Sequence, residues 1–341
     1  MVRALIVVSC GLATGFIFDF LNVPAGWLLG ALLFGVFYGL SRSDVKFDGL
    51  PFKLALTLVG ANIGILMERE LFGIISTYFI PLFISLILTF TGSFFLGWLL
   101  YKWAPILDKR TALFCCIPGG ASEIISISGD YGADNRIVAA FHTARITFFV
   151  LLIPLVAGIW SHADEFSLPE ESYLFTFEHF TLFSIVIAVA TFLNNKWKIP
   201  AGALLYAIIL GFLLGEFVFD VREVPAYVGG IGQGLIGVMV GVRFDRKTFL
   251  RLKQIGLISA RIISLFLILG FLLAYIFYSL SEASYVISLL SIVPAGAAEM
   301  SATAFALGLA PTLVASLQIV RVISVFLALP LLIKIIERSD K

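Results

Sequence analysis

The chain has 341 residues, of which 60% are hydrophobic and 13% charged, with a formal net charge of +1. A soluble domain of this length does not normally reach so apolar a balance, so the solvent for most of the chain is lipid. Near neutrality without a basic run longer than a few residues gives no footprint for nucleic acid; Cys10, Cys115 and Cys116, an odd set without metal spacing in apolar segments, read as small buried residues.

A bilayer core needs about 20 apolar residues per helical crossing, and stretches of that length recur from Leu5 to Ile335 with short polar gaps. The fold class is therefore an all-α integral membrane protein. Arg3 and the apolar run to Phe20 have the outline of a signal peptide, but a counterpart lies near 177–193, deep inside the chain, so the run is expected to be the first helix. Residues 71–103 and 249–280 are longer than one crossing and begin with more polar stretches, which predicts surface helices followed by spans at Pro81–Trp103 and Ile258–Leu280, with Arg261 snorkelling at the edge. The gap at 161–172 is long enough for a surface loop and too short for a folded module.

An internal repeat organises these segments, with 1–160 as the first membrane repeat and 161–341 as the second. At an offset of 176, Pro24-Ala25-Gly26 recurs as Pro200-Ala201-Gly202, and Ile117-Pro118-Gly119-Gly120-Ala121-Ser122-Glu123 recurs as Val293-Pro294-Ala295-Gly296-Ala297-Ala298-Glu299. Gly132 then pairs with Gly308, Arg145 with Arg321 and Pro154 with Pro330, while Gly60 and Gly64 pair with Gly237 and Gly241 after one residue of slippage. A proline, a glutamate and an arginine held in register are not what chance similarity between apolar helices produces.

Each half holds five long apolar segments plus a Pro-Gly segment that either crosses as a broken helix, giving 12 spans in all, or enters and leaves on one side as a re-entrant hairpin. The positive-inside rule separates the two. With hairpins and a cytoplasmic N-terminus, 18 of the 23 Lys and Arg residues fall inside and Arg69 and Arg222 outside; with full crossings the split is 11 to 9. Hairpins are favoured, and five crossings per half then invert the second repeat relative to the first. Both termini are expected in the cytoplasm of a multi-pass inner-membrane protein, with Asp164, Glu165, Glu170 and Glu171 outside.

Backbone breaks at membrane depth survive only in protein or beside water. Pro118-Gly119-Gly120 and Pro294-Ala295-Gly296 are expected to be the tips between half-helices, meeting near the midplane and presenting helix N-termini suited to an anion. Ser122 and Ser301 stand close to the tips. Glu123 and Glu299, in the first turn after each tip, either complement the helix dipole or hold a proton or cation. Arg145 and Arg321 come about ten residues into the next helix, near the midplane at about 1.5 Å per residue. They either pair with the glutamates or face a carboxylate substrate. His142 and Gln318 are repeat equivalents on the same faces as the arginines, and His142 is either a proton carrier or a hydrogen-bonded core residue. Asn62 and Gln233, in Gly-rich stretches, are further polar candidates, although their glycines suit close helix packing.

The segments IPGGASE with its later HTAR, and VPAGAAE with its later QIVR, resemble the AbrB-like family of polytopic membrane proteins, in which one domain occurs twice. Members carry labels such as regulator or ammonia monooxygenase; a copper or iron oxygenase needs clustered ligands, whereas His142, His162 and His179 are scattered. The layout is also similar to that of sodium-coupled glutamate and 2-hydroxycarboxylate transporters, though here a Pro precedes and a Glu follows the glycines of the tip. That similarity implies alternating access, with a hairpin-bearing core moving against a homodimeric scaffold. The expected function is a secondary transporter of a small organic anion coupled to H+ or Na+, with the alternative of a membrane sensor without transport. No cofactor, resident metal, nucleophile set or enzymatic activity is expected.

Overall fold

A computed structural model describes residues 2–42, 44–47, 49–67, 77–119, 121–160, 175–197, 199, 201–219, 221 and 224–339, the side chains of 121–123, 126, 226, 329–333 and 335–339 excepted. The described residues form helices α1 (Val2–Phe20), α2 (Gly26–Ser41), α3 (Leu50–Ile65), α4 (Phe79–Trp103), α5 (Lys109–Cys116), α6 (Ala121–Asp130), α7 (Asn135–Trp160) and α8 (Phe177–Lys196). There follow α9 (Gly202–Leu214, running into a π-helical turn, Gly215–Phe219), α10 (Ala226–Arg243), α11 (Arg246–Ile255), α12 (Leu257–Leu280), α13 (Tyr285–Ile292), α14 (Ala297–Ala306) and α15 (Pro311–Ser339). The 176-residue offset carries the starts of α5, α6 and α7 onto those of α13, α14 and α15, so the helix order is duplicated along with the sequence.

Among the described residues seven helices are long and apolar enough to cross a bilayer, or eight if the pair α10 and α11, bent by 55° at their junction, is taken as one span. Only 17% of the α1 window is buried against the rest of the chain. An apolar helix presenting most of its surface outward, like α4 with its exposed Phe79, Ile80, Phe83 and Ile87, is built for lipid. The expected spans at Pro81–Trp103 and Ile258–Leu280 correspond to α4 and α12. The stretch expected to form a surface helix before α12 folds as a separate helix, α11, set off by Gly256 at φ 72°, a conformation that suits a residue without Cβ; its counterpart before α4 lies largely outside the described residues.

The two halves are not separate bodies, because α2 packs on α10 and, symmetrically, α9 on α3. A Cβ at Gly60 would lie 2.6 Å from the Leu204 carbonyl oxygen, and one at Gly35 would lie 2.6 Å from that of Val238. The glycine stripes thus let backbones touch where lipid supplies no hydrophobic drive between helices. Cys115 and Cys116 are buried as expected, whereas Cys10 is exposed on the outer face of α1, because that helix gives so little of its surface to the interior. At the end of α2, Asp44 accepts from the Tyr38 hydroxyl and from Arg3 Nη1, each at 2.8 Å. These bonds, Tyr38's above all, hold its carboxyl below its ordinary value.

Candidate functional site

The site is built around two helix breaks. In the first half, α5 is capped by Asp108, which accepts from the Thr111 N–H at 2.9 Å, and it stops at Pro118, whose missing N–H cannot continue the ladder. The Asp134 N–H, just past α6, donates to the Thr111 hydroxyl at 2.9 Å, and Arg110 Nη1 donates to the Tyr131 carbonyl at 3.3 Å. The start of α5 and the end of α6 are therefore neighbours, so the chain doubles back at the break. In the second half, α13 is capped by Ser284 and broken at Pro294, and Ile287 near its start packs in one cluster with Ala310 just beyond α14.

A helix ending inside the protein leaves its last carbonyls without N–H partners. Gln318 and Arg321, one turn apart on α15, supply them for α13. Gln318 Nε2 donates to the Leu290 carbonyl at 2.6 Å and to that of Val293 at 3.3 Å. Arg321 Nη1 donates to the carbonyls of Ile292, at 3.0 Å, and Val293, and Nη2 donates to that of Ala295 at 3.1 Å. A guanidinium at the negative end of a helix dipole is favourable in charge as well as in geometry.

In the first half His142 does the work of Gln318. Its Nε2 donates to the Phe114 carbonyl, the repeat equivalent of that of Leu290, at 3.0 Å. Its Nδ1 lies 3.2 Å from Arg145 Nη2. A carbonyl only accepts and a guanidinium only donates, so these bonds select the neutral ring with its proton on Nε2. A proton carried on Nδ1 would have to displace Arg145. Replacing His142 by Gln should keep the Phe114 bond, so the melting temperature of the purified protein should stay within about 2 °C of wild type. His142→Ala, which orphans that carbonyl, should cost about 1–3 kcal/mol and lower it measurably.

Arg145 breaks the symmetry. It is 1% exposed, and besides His142 its Nε and Nη1 have no acceptor among the described residues. Its guanidinium carbon lies 5.1 Å from the centre of the Phe266 ring. Arg321, at the same repeat position, spends both terminal nitrogens on backbone. The ion pair formed among the described residues is Arg3 with Asp44; the alternative in which the arginines pair with the glutamates is not realised at Glu299.

Glu299 is buried in the first turn of α14 and folds back so closely over Gly296 that a Cβ at 296 would fall within its carboxylate. Ser301 and Thr303 donate back along α14, to Ala297 at 2.6 Å and Glu299 at 2.9 Å. Asn62 Oδ1, Gln233 Oε1 and Gln318 Oε1 are buried without donors among the described residues. Asn62 stands where α3 meets Gly229 of α10 and Phe305 of α14. Gly119 lies against Val325 of α15, so the first tip reaches into the second half. Gly120 and the side chains of Ser122 and Glu123 lie outside the described residues. Sequence reasoning missed Phe266, one of 33 phenylalanines with nothing in its spacing to mark it. It also missed Ser288 and Ser291, buried on α13 without partners among the described residues, although two serines in one apolar eight-residue helix were a usable signal.

Residues 27–337 match the family model described as Transition state regulatory protein AbrB. The chain belongs to the AbrB family. A protein of Escherichia coli (strain K12) named "Putative regulator AbrB" is 24% identical over 249 residues, covering 72% of this chain and 71% of that one. "Uncharacterized protein YhjN" of Bacillus subtilis (strain 168) is 25% identical over 376 residues, covering 100% of this chain and 96% of that one. The family match takes in both breaks, both arginines and nearly all of α2 to α15.

Proposed function

We propose that this AbrB-family membrane protein is a secondary active transporter of a small organic anion, coupled to H+ or Na+ and working by alternating access. The observation that carries the reading is Arg145, a buried guanidinium whose Nε and Nη1 find no acceptor among the described residues while both terminal nitrogens of its repeat equivalent are engaged. Unpaired buried donors cost stability and are retained where a ligand fills them. Nε and Nη1 each share an edge of the guanidinium with Nη2, whose second hydrogen completes a two-pronged face for a carboxylate beside the bond to His142. Glu299, buried and without an ion pair among the described residues, and Glu123 after the first tip are the proposed coupling carboxylates.

On this reading the halves are inverted repeats, the two breaks are re-entrant hairpins entering from opposite faces, and both termini are cytoplasmic in the inner membrane. The Asp134-to-Thr111 bond and the 18-to-2 charge split support it. A homodimeric scaffold, and the absence of any catalytic step, belong to the same proposal. Reporter fusions after Lys253 and after Lys341 should read cytoplasmic and an insertion near Glu165 external; an external reading after Lys253 removes the inverted arrangement.

Function itself is tested by a thermal-shift screen of purified protein against carboxylates, amino acids and other small anions, followed by uptake into proteoliposomes. A ligand present at 100 times its Kd should add about 2.7 kcal/mol to stability. One relative's name carries the word regulator, and a ligand that stabilises the protein but is not moved across the membrane would favour the sensor reading.

A further inference from the structure

We propose that the groove between α2, α7, α11 and α12 is a binding site for an anionic phospholipid of the surrounding bilayer, with one acyl chain in the groove and the headgroup held by Lys253 and Arg261. The groove encloses about 610 Å³ and is lined by Leu33, Val36, Phe148, Leu252 and Ile263 among others, with Lys253 at its edge. A second, open hollow of about 380 Å³ shares Leu257, Ala260 and Ser264 with it and is lined also by Arg261 and Trp103. An apolar trough continuous with a cationic mouth is the shape of one chain and one phosphate. Trp103 ends α4 beside Arg261, and indole side chains collect at the level of lipid headgroups.

The charge is specific to this place. Helix α11 carries Arg246, Lys247, Arg251 and Lys253 with no acidic residue, and Phe249 and Leu252 turn its apolar side to the groove. The corresponding stretch of the first half, 69–78, holds one Arg and one Glu. The basic set is thus not a relic of the duplication. Neither Lys253 nor Arg261 is in an ion pair among the described residues, and basic residues at the membrane interface attract anionic lipid.

The test uses full-length protein purified in detergent, stripped of lipid and titrated with palmitoyl-oleoyl phosphatidylglycerol or with phosphatidylcholine of the same chains, read by melting temperature and native mass spectrometry. Phosphatidylglycerol should raise the melting temperature and remain as a discrete adduct, and phosphatidylcholine should do so at least about tenfold less effectively. The Lys253→Gln/Arg261→Gln double variant should lose that preference, whereas Arg136→Gln, an exposed charge elsewhere, should keep it. Ala260→Trp, which fills the groove, should abolish the adduct. Equal stabilisation by both lipids, or a preference that survives the double variant, overturns the proposal. A change of oligomeric state in Ala260→Trp also overturns it, by making the groove a contact between copies of the chain.

Discussion

Arg321→Ala is expected to be among the most destabilising single substitutions in the protein. The side chain serves three carbonyls at the end of α13 and the following break, those of Ile292, Val293 and Ala295, and it is 5% exposed. Of these, Val293 keeps another donor, through Gln318 at 3.3 Å. A buried acceptor left unpaired costs about 1–3 kcal/mol, so the loss of two should total about 2–6 kcal/mol. It should appear as a fall in melting temperature of about 5–10 °C. Arg321→Lys keeps the charge at the negative helix end but replaces a planar fork by one ammonium, and should recover about half of the loss. The measurement is thermal unfolding of detergent-purified protein without ligand. Wild-type stability in Arg321→Ala would show that these bonds do not hold the break.

The skeleton of this arrangement is readable in the sequence because its strongest signals are covalent and local. Proline at 118 and 294, lacking the N–H a helix uses and followed within two residues by glycine, favours a break, whereas Pro154 stays inside α7, and runs of apolar residues the length of a bilayer allow few alternatives. The duplication pairs Arg145 with Arg321 and His142 with Gln318 by register alone. What the sequence conceals is the division of labour within those pairs. Symmetry of residue type suggests symmetry of role, yet Arg321 reaches three carbonyls while Arg145 meets His142 and the face of Phe266. Which carbonyls and rings each guanidinium meets is a tertiary fact that no residue pattern records. The same limit applies to partners. A glutamate and an arginine recurring at matched spacing invite an ion pair, but Arg321 is taken up by the carbonyls freed at the break. The cross-packing of α2 on α10 and α3 on α9 is legible only as glycine stripes; which stripes face one another is a tertiary fact.

Arg145→Met is expected to separate stability from function. In the unliganded protein the substitution removes two buried nitrogens that have no acceptor among the described residues, together with one bond to His142, 3.2 Å away. Replacing a buried, incompletely paired charge by an apolar side chain of similar length is often neutral or stabilising, by up to about 1–4 kcal/mol. The melting temperature without ligand should therefore be equal to or higher than that of wild type, the reverse of Arg321→Ala. With the anion found in the screen, the thermal shift should vanish and uptake should be lost. Arg145→Lys should fall between, folding normally while its Kd rises roughly 10- to 100-fold, equivalent to about 1.5–3 kcal/mol, because an ammonium cannot grip a carboxylate in two places. Trading stability for a poised donor is how binding sites commonly differ from structural ones. If Arg145→Met instead unfolds the protein while Arg321→Met leaves it stable and unable to bind, the two arginines have exchanged roles and the ligand belongs at the second break. If both variants bind the anion as wild type does, neither guanidinium forms the site.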